Sequence, residues 1–164
     1  MTASEQLEKI NERTRELVTL QYNTYNRSLV PLMHQHGIVV MDAFEDLSEA
    51  QAAFVDRYFE DNVYPVLTPM AVDASRPFPL IRNKTLNIAA LLSKKKGKAE
   101  KEEIEFATVQ VPSVLPRLVH IPSEDGNEKT FILLEQVIER NIDKLFLNYD
   151  VLCAYPYRVM RNAD

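Results

Sequence analysis

The sequence predicts an α+β fold, in which a long N-terminal helix precedes a small mixed domain with an antiparallel hairpin or sheet and two further helices. Apolar residues recur at helical spacing through the first 36 positions, whereas from residue 85 they alternate with other residues in short runs. The strands are grouped between separated helices, which favours α+β over a doubly wound parallel sheet. Proline content also divides the chain, since Pro31 is the only proline before residue 65.

The first predicted element is one helix over residues 4–36. Its apolar side consists of Leu7, Ile10, Leu17, Leu20, Tyr25, Leu29 and Leu32. Pro31 is expected to kink the helix near its end, and Gly37 to cap it before residues 38–40 leave as an extended run. A lone helix with one narrow apolar stripe gains little stability without a packing partner. It therefore packs on the rest of the chain, dimerises, or belongs to a larger helical domain, and we favour the last.

The second helix is predicted to begin at Ser48. The sequence SEAQ has the form of a capping box, in which the Ser48 hydroxyl accepts from the Gln51 amide and the Gln51 side chain reaches back. One face of this helix is apolar up to Pro65, with Ala52, Val55, Phe59 and Val63 in line and Phe54 and Tyr58 beside them.

Two strands are predicted on either side of a polar tip. Residues 85–92 and 104–108 alternate with a period of two, and the segment between them, SKKKGKAEKEE, contains Gly97. This arrangement indicates a hairpin.

Three elements are predicted in the remainder of the chain. A short strand, RLVHI, lies between Pro116 and Pro122, and EDGNEK forms a turn. A third helix is expected over Phe131 to Phe146, and a last strand over Val151 to Val159. The inner side of that third helix is expected to carry Leu134, Ile138, Ile142 and Leu145.

Charge and composition exclude several classes of protein. A net charge of -5 argues against a general nucleic-acid binder, which is usually basic over a whole face. One cysteine cannot form an internal disulfide, which favours a reducing compartment. No run reaches the about 18 apolar residues of a membrane helix, and the charged N-terminus lacks the apolar core of a secretion signal. We expect a cytoplasmic protein, with peripheral attachment to the inner membrane face left open.

Catalytic motifs are absent from the sequence. Three glycines, at 37, 97 and 126, cannot build a P-loop or a dinucleotide fingerprint. His34 and His36 are two positions apart on a helix and do not converge on one metal ion, so we interpret them as surface or capping residues. His120 is expected to have a packing role, and Cys153 to be a buried, inert thiol. We predict no catalytic residue and no metal ligand in this chain.

One cluster of basic residues is a candidate for phosphate binding. The candidates are Arg76, Arg82 and Lys84, because neighbouring prolines 77 and 79 stiffen the backbone that presents them. Ordinary surface charge at a sheet edge is the interpretation that we favour for these three residues, and phosphate binding is the alternative. The lysines of the polar tip are weaker candidates, since EKEE follows them and cancels most of their field.

The proline-rich stretch PVLTPMAVDASRPFPLIRNKTLN, residues 65–87, is predicted to be a rigid, packed connector. Pro65 and Pro69 cannot donate ladder hydrogen bonds, so the segment is expected to run along a sheet edge or to leave the sheet. Phe78, Leu80 and Ile81 are expected to anchor it before the chain enters the strand at Thr85.

Several blocks, in this order, resemble bacterial polyphosphate kinase, the family that phosphorylates itself on histidine. They are YFEDNVYPVLTPMAVDASRPFPLIRNKTLNIA, VPSVLPRLVHIP, FILLEQVI, LF and YRVMRNAD, and they extend from about residue 37 to the last residue. The preceding helix is similar in type to the end of that family's N-terminal helical domain. The resemblance therefore implies a fragment: residues 1–37 as the last helix of the helical domain, and residues 38–164 as the first part of the head (middle) domain.

The resemblance also implies a function for the full-length protein. Members of this family transfer the terminal phosphoryl group of ATP reversibly to polyphosphate, with Mg²⁺ and through a phosphohistidine. That histidine and most nucleotide and phosphate ligands belong to two C-terminal domains that resemble phospholipase D, and an asparagine that helps to hold the nucleotide precedes this segment. His34, His36 and His120 do not match the family's catalytic histidine.

The implied role of this piece is structural. The family's head domain contributes to subunit association and to the approach to the active-site tunnel, so the expected partners are the rest of the enzyme chain and other subunits. ATP, Mg²⁺ and polyphosphate are expected for the full-length enzyme and none of them for this fragment. Two alternatives remain: a stand-alone module that binds polyphosphate, and an adaptor that self-associates through residues 4–36.

Overall fold

The computed structural model describes residues 1–72, 78–94 and 104–162. An N-terminal helical rod leads into a body with a four-stranded and a three-stranded sheet. The α+β class predicted from the sequence is confirmed, and so are the long N-terminal helix and the antiparallel hairpin.

The rod contains two α-helices, α1 (Ala3–Thr24) and α2 (Val30–Gln35), joined by a π-helical turn over Tyr25–Leu29. The irregular turn lies immediately before Pro31, which cannot donate a backbone hydrogen bond, and the Val30 amide bonds to the Tyr25 carbonyl, five residues back. The expected single helix is therefore interrupted rather than simply kinked. Gly37 ends the rod with φ +70°, as predicted, and strand β1 (Ile38–Val40) follows.

The predicted apolar stripe of the rod faces solvent. No residue of α1 is buried, and Leu7, Ile10 and Leu20 are each about three-fifths exposed. The helix is held by local bonds, among them a capping box at Thr2.

Helix α3 (Glu49–Tyr58) begins as predicted, with the reciprocal Ser48–Gln51 capping box in place. A π-helical turn over Phe59–Val63 and a 3-10 turn over Tyr64–Val66 prolong it. Val55, Phe59 and Val63 are fully buried, which confirms the predicted line of inner residues. Phe54, which was predicted beside them, is exposed, so that part of the prediction is wrong.

The larger sheet has the order β2-β4-β3-β7 and is antiparallel throughout. Its strands are β2 (Pro69–Val72), β3 (Leu86–Lys94), β4 (Ile104–Gln110) and β7 (Tyr149–Arg158). The smaller sheet has the order β1-β6-β5, where β5 is Leu118–Ile121 and β6 is Lys129–Leu133. β1 runs parallel to β6, and β5 runs antiparallel to it.

The predicted third helix over residues 131–146 is wrong in its first part. Phe131 lies in β6, between β1 and β5, and helix α4 is only Leu134–Arg140. A 3-10 turn over Ile142–Leu145 follows it. The apolar residues there have helical spacing, but backbone hydrogen bonds from β1 on one side and β5 on the other hold the segment as a strand. Because those partners are distant in sequence, the local pattern does not reveal them.

One core joins both sheets to α3 and α4. Its largest fully buried side chains include Phe59, Ile88, Leu92, Ile121, Ile132, Leu134 and Ile138. Burying each such side chain contributes about 1.5–3 kcal/mol. Arg140 binds Asp56 through two parallel bonds of 2.8 and 3.0 Å, which ties α4 to α3 at the edge of this core.

Candidate polyanion-binding site

The proline-rich connector follows the edge of the larger sheet, as predicted, over the part that forms β2. Its first part contributes β2, the edge strand, and Pro69 occupies the first position of that strand. Ile81 is buried and Phe78 stacks on Phe106, with ring centroids 5.4 Å apart. Leu80 is 83% exposed, so the prediction that it anchors the connector is wrong. Arg76 lies outside the described residues.

Arg82 and Lys84 lie in a tight turn near the end of the connector, just before β3 begins at Leu86. The Thr85 hydroxyl donates to the Arg82 carbonyl at 2.9 Å, and the Thr85 amide donates to the same oxygen at 3.4 Å. Lys84 has φ +62° and is the one non-glycine residue with positive φ in the part of the chain that the structure describes. A lysine in the left-handed region carries backbone strain that glycine or asparagine would largely avoid.

The turn is bonded to the segment that follows β7. The Lys84 amide donates to the Val159 carbonyl at 2.8 Å, and the Arg161 amide donates to the Asn83 side-chain oxygen at 2.9 Å. Immediately beyond, Leu86 pairs with Arg158 at the end of the β3–β7 ladder. Two arginines distant in sequence are thereby placed beside the predicted pair.

Sequence reasoning missed Arg158 and Arg161. The sequence YRVMRN shows both arginines, but only strand pairing brings them to Arg82 and Lys84. We name these four residues the cationic cluster.

Within the part of the chain that the structure describes, the charge of the cationic cluster is uncompensated. All four residues are exposed, and the described segments at this end of the sheet (66–69, 78–87, 109–116 and 155–162) contain no aspartate or glutamate. Among the described residues, no ion pair reaches any of the four side chains. Because the whole chain has a net charge of -5, this end of the sheet is a local exception.

The opposite end of the sheet has a different electrostatic character. Lys94 pairs with Glu105 at 3.5 Å, and the Tyr149 hydroxyl donates to Glu105 at 2.9 Å. A lysine and a glutamate therefore pair across the sheet at that end. The other tip lysines, Lys95, Lys96 and Lys98, lie outside the described residues.

The remaining candidates from the sequence do not form a site. His34 and His36 lie exposed at the end of the rod, and His120 is exposed on β5 with its ring 5.3 Å from that of Phe131. Cys153 is partly exposed, so the expectation of a buried thiol is wrong.

Within the described ranges, no group of three or more histidine, cysteine, aspartate or glutamate residues could hold a metal ion. The helices described there include none that is long and apolar enough to cross a membrane.

Comparison with known proteins identifies the family. The model of the polyphosphate kinase middle domain matches residues 50–164. The chain belongs to the polyphosphate kinase family. Polyphosphate kinase of Lactiplantibacillus plantarum is 49% identical over the whole chain, and that of Halalkalibacterium halodurans is 45% identical over the same length. The resemblance seen in the sequence is therefore confirmed.

A solved polyphosphate kinase has the same fold. The crystal structure of polyphosphate kinase from Porphyromonas gingivalis matches 98% of this chain with a TM-score of 0.80 and 26% identity. The chain spans about a quarter of that structure, and 22% and 23% of the two relatives named above. It is thus a middle-domain piece relative to these polyphosphate kinases.

Proposed function

We propose that the chain is a scaffold segment of an enzyme that transfers the terminal phosphoryl group of ATP reversibly to polyphosphate. The observation that carries this proposal is the match, over the whole chain, to relatives named polyphosphate kinase. Residues 1–37 would end a helical domain and residues 38–164 would begin the middle domain, in a cytoplasmic enzyme. Peripheral attachment to the inner membrane face belongs to the same proposal.

In this proposal, catalysis resides elsewhere in the full-length enzyme. Phosphoryl transfer requires donors and a metal positioned around the transferring group, and the described residues offer no carboxylate or histidine cluster that fits Mg²⁺. The three histidines lie on the rod and the smaller sheet, away from the cationic cluster. ATP, Mg²⁺ and the phosphohistidine are assigned to the rest of the enzyme.

An activity measurement tests the scaffold assignment. The purified chain, incubated with Mg²⁺, radiolabelled ATP and polyphosphate, is expected to incorporate no label and to form no new polyphosphate. The full-length enzyme from Lactiplantibacillus plantarum serves as the positive control. Labelling of the chain by ATP alone would overturn the proposal.

Subunit association through the middle domain is part of this proposal, and an independent adaptor that self-associates through residues 4–36 is its rival. The exposed apolar stripe favours a packing partner in both cases. Sedimentation of the chain with and without residues 1–36 separates them. An oligomeric state that does not change when residues 1–36 are removed supports the scaffold assignment, and an oligomer that requires residues 1–36 supports the adaptor.

A second candidate function is polyphosphate binding through Arg76, Arg82 and Lys84. The specific observation in its favour is the strained, exposed Lys84 turn with uncompensated charge. Affinity for polyphosphate at low salt, reduced by charge reversal at Arg82 and Lys84, is the expected result. Equal affinity of the reversed variant would remove this candidate.

A further inference from the structure

We propose that Arg158 and Arg161 complete the cationic cluster and that the cluster binds a linear polyphosphate chain. This inference rests on the second candidate function above and extends it to a two-segment site. Its basis is the pair of bonds that join Asn83 and Lys84 to residues 159–161, which are far along the chain.

The four charges are close enough to act on one ligand. Lys84 bonds to Val159, Arg161 bonds to Asn83, and Arg158 pairs with Leu86, so each cluster residue is bonded to the other segment or adjoins a residue that is. With about 3.8 Å between consecutive Cα atoms, the nearest cluster residues of the two segments are about 5–10 Å apart at the backbone. That separation is comparable to the screening length of about 8 Å at physiological ionic strength. A multivalent anion is therefore attracted by all four charges together. Its binding also reduces the electrostatic repulsion between the exposed cations.

The backbone holds the cluster in position before any ligand binds. β3 and β7 pair over nearly their whole length, and the Lys84 and Arg161 amides close the end of that ladder. Preorganised charges lose less conformational entropy on binding than charges on two independent loops. A lysine retained at positive φ, where glycine would cost less, is consistent with use of its side chain.

The site favours a chain of phosphates over orthophosphate. One phosphate group contacts one or two cations, whereas a linear polyphosphate presents a charged group at each repeat and can engage all four residues together. Long nucleic acid is a poorer fit, because the chain is acidic outside this region. The triphosphate of ATP shares the chemistry of a short polyphosphate, so the test includes it.

The test compares single variants of the chain. Arg158→Gln, Arg161→Gln, Arg82→Gln and Lys84→Gly remove one charge each, and Lys129→Gln removes an exposed charge from the smaller sheet. Titration with long-chain linear polyphosphate, tripolyphosphate, ATP, orthophosphate and single-stranded RNA gives the affinities at several salt concentrations. Thermal unfolding verifies that each variant folds. If Arg158→Gln does not fold, Arg158→Met, which also removes the charge, replaces it, and Arg158→Lys serves as the control that keeps the charge.

We expect long-chain polyphosphate to bind most tightly. Each cluster variant should lower the affinity for long-chain polyphosphate about threefold to tenfold. It should also reduce the slope of log affinity against log salt concentration by about one. The affinity of Lys129→Gln should stay within about twofold of that of the unsubstituted chain. Arg158→Lys, which keeps the charge, should retain the affinity within about twofold.

Different binding results would overturn different parts of the proposal. If Arg82→Gln and Lys84→Gly weaken binding but the Arg158 and Arg161 variants do not, the two-segment site is wrong and the second candidate function stands. If the unsubstituted chain does not bind polyphosphate, both are wrong. Equal affinity for polyphosphate and orthophosphate, tighter binding of ATP than of tripolyphosphate, or tighter binding of RNA than of polyphosphate overturns the assignment of the ligand.

Discussion

The backbone angle of Lys84 bears on whether its side chain has a structural or a functional role. Its φ of +62° costs about 1 kcal/mol relative to a relaxed conformation. A purely structural turn would gain from glycine at this position. The strain is understandable if the ammonium group has a role that glycine cannot fill.

Lys84→Gly is therefore expected to leave the free energy of unfolding unchanged or to raise it by up to about 1 kcal/mol. Urea denaturation measures this. The matched substitution Lys129→Gly, in β6, should lower the same quantity by about 0.5–1 kcal/mol, because glycine weakens a strand. A clear loss of stability in Lys84→Gly would show that its side chain supports the fold.

Glu139 is a second residue with an unusual environment. Burial raises its pKa to about 7, and the carboxylates of Glu135 and Glu45 act in the same direction. The folded state thus binds the Glu139 proton more tightly than the unfolded state. Stability from the neutral form is complete below the ordinary pKa of 4.5 and is lost as pH rises through about 7.

Glu139→Gln should remove that loss. The variant and the unsubstituted chain are expected to unfold at similar urea concentrations near pH 4.5, and the variant at a higher concentration near pH 8. The control, Glu8→Gln, makes the same charge change on the exposed rod and should give no pH-dependent difference. If the difference for Glu139→Gln is equal at both pH values, the carboxyl is not perturbed.

At the scale of elements, the sequence predicted correctly those features that depend on bonds between residues close in sequence. The Ser48 capping box, the Gly37 cap and the β3–β4 hairpin all follow from neighbours in sequence, and the structure has each of them. Residues 131–133 were misassigned because their state is decided by strands β1 and β5. The same limit hid Arg158 and Arg161, whose place beside Arg82 depends on long-range pairing.

The two capping boxes allow a test of how local bonds and packing combine. Ser48→Ala is expected to lower the free energy of unfolding by about 1 kcal/mol, since α3 belongs to the core and cannot fray independently. Thr2→Ala removes the same motif from the exposed rod and should change only the helical signal in circular dichroism, not the cooperative transition. A comparable loss in both variants would show that the rod unfolds together with the body.

At the scale of the whole molecule, the rod and the body differ in what holds them together. The core draws on both sheets, α3 and α4, whereas α1 and α2 contribute no buried residue to it. Near the end of the rod, Val30 and Met33 are only partly buried. The stability of the body should therefore be independent of most of the rod.

Removal of residues 1–36 tests this independence, since it keeps Gly37 and the parallel β1–β6 pairing. The truncated chain is expected to unfold in one cooperative transition, with a free energy of unfolding within about 0.5 kcal/mol of the full chain. Its urea m-value should also be unchanged, because m scales with the surface that becomes exposed and the rod buries little of it. The matched core variant Ile138→Ala should lose about 2–5 kcal/mol in both backgrounds. A truncated chain that is molten, or a fall in m, would mean that the rod packs on the body and that its apolar stripe is part of one cooperative unit.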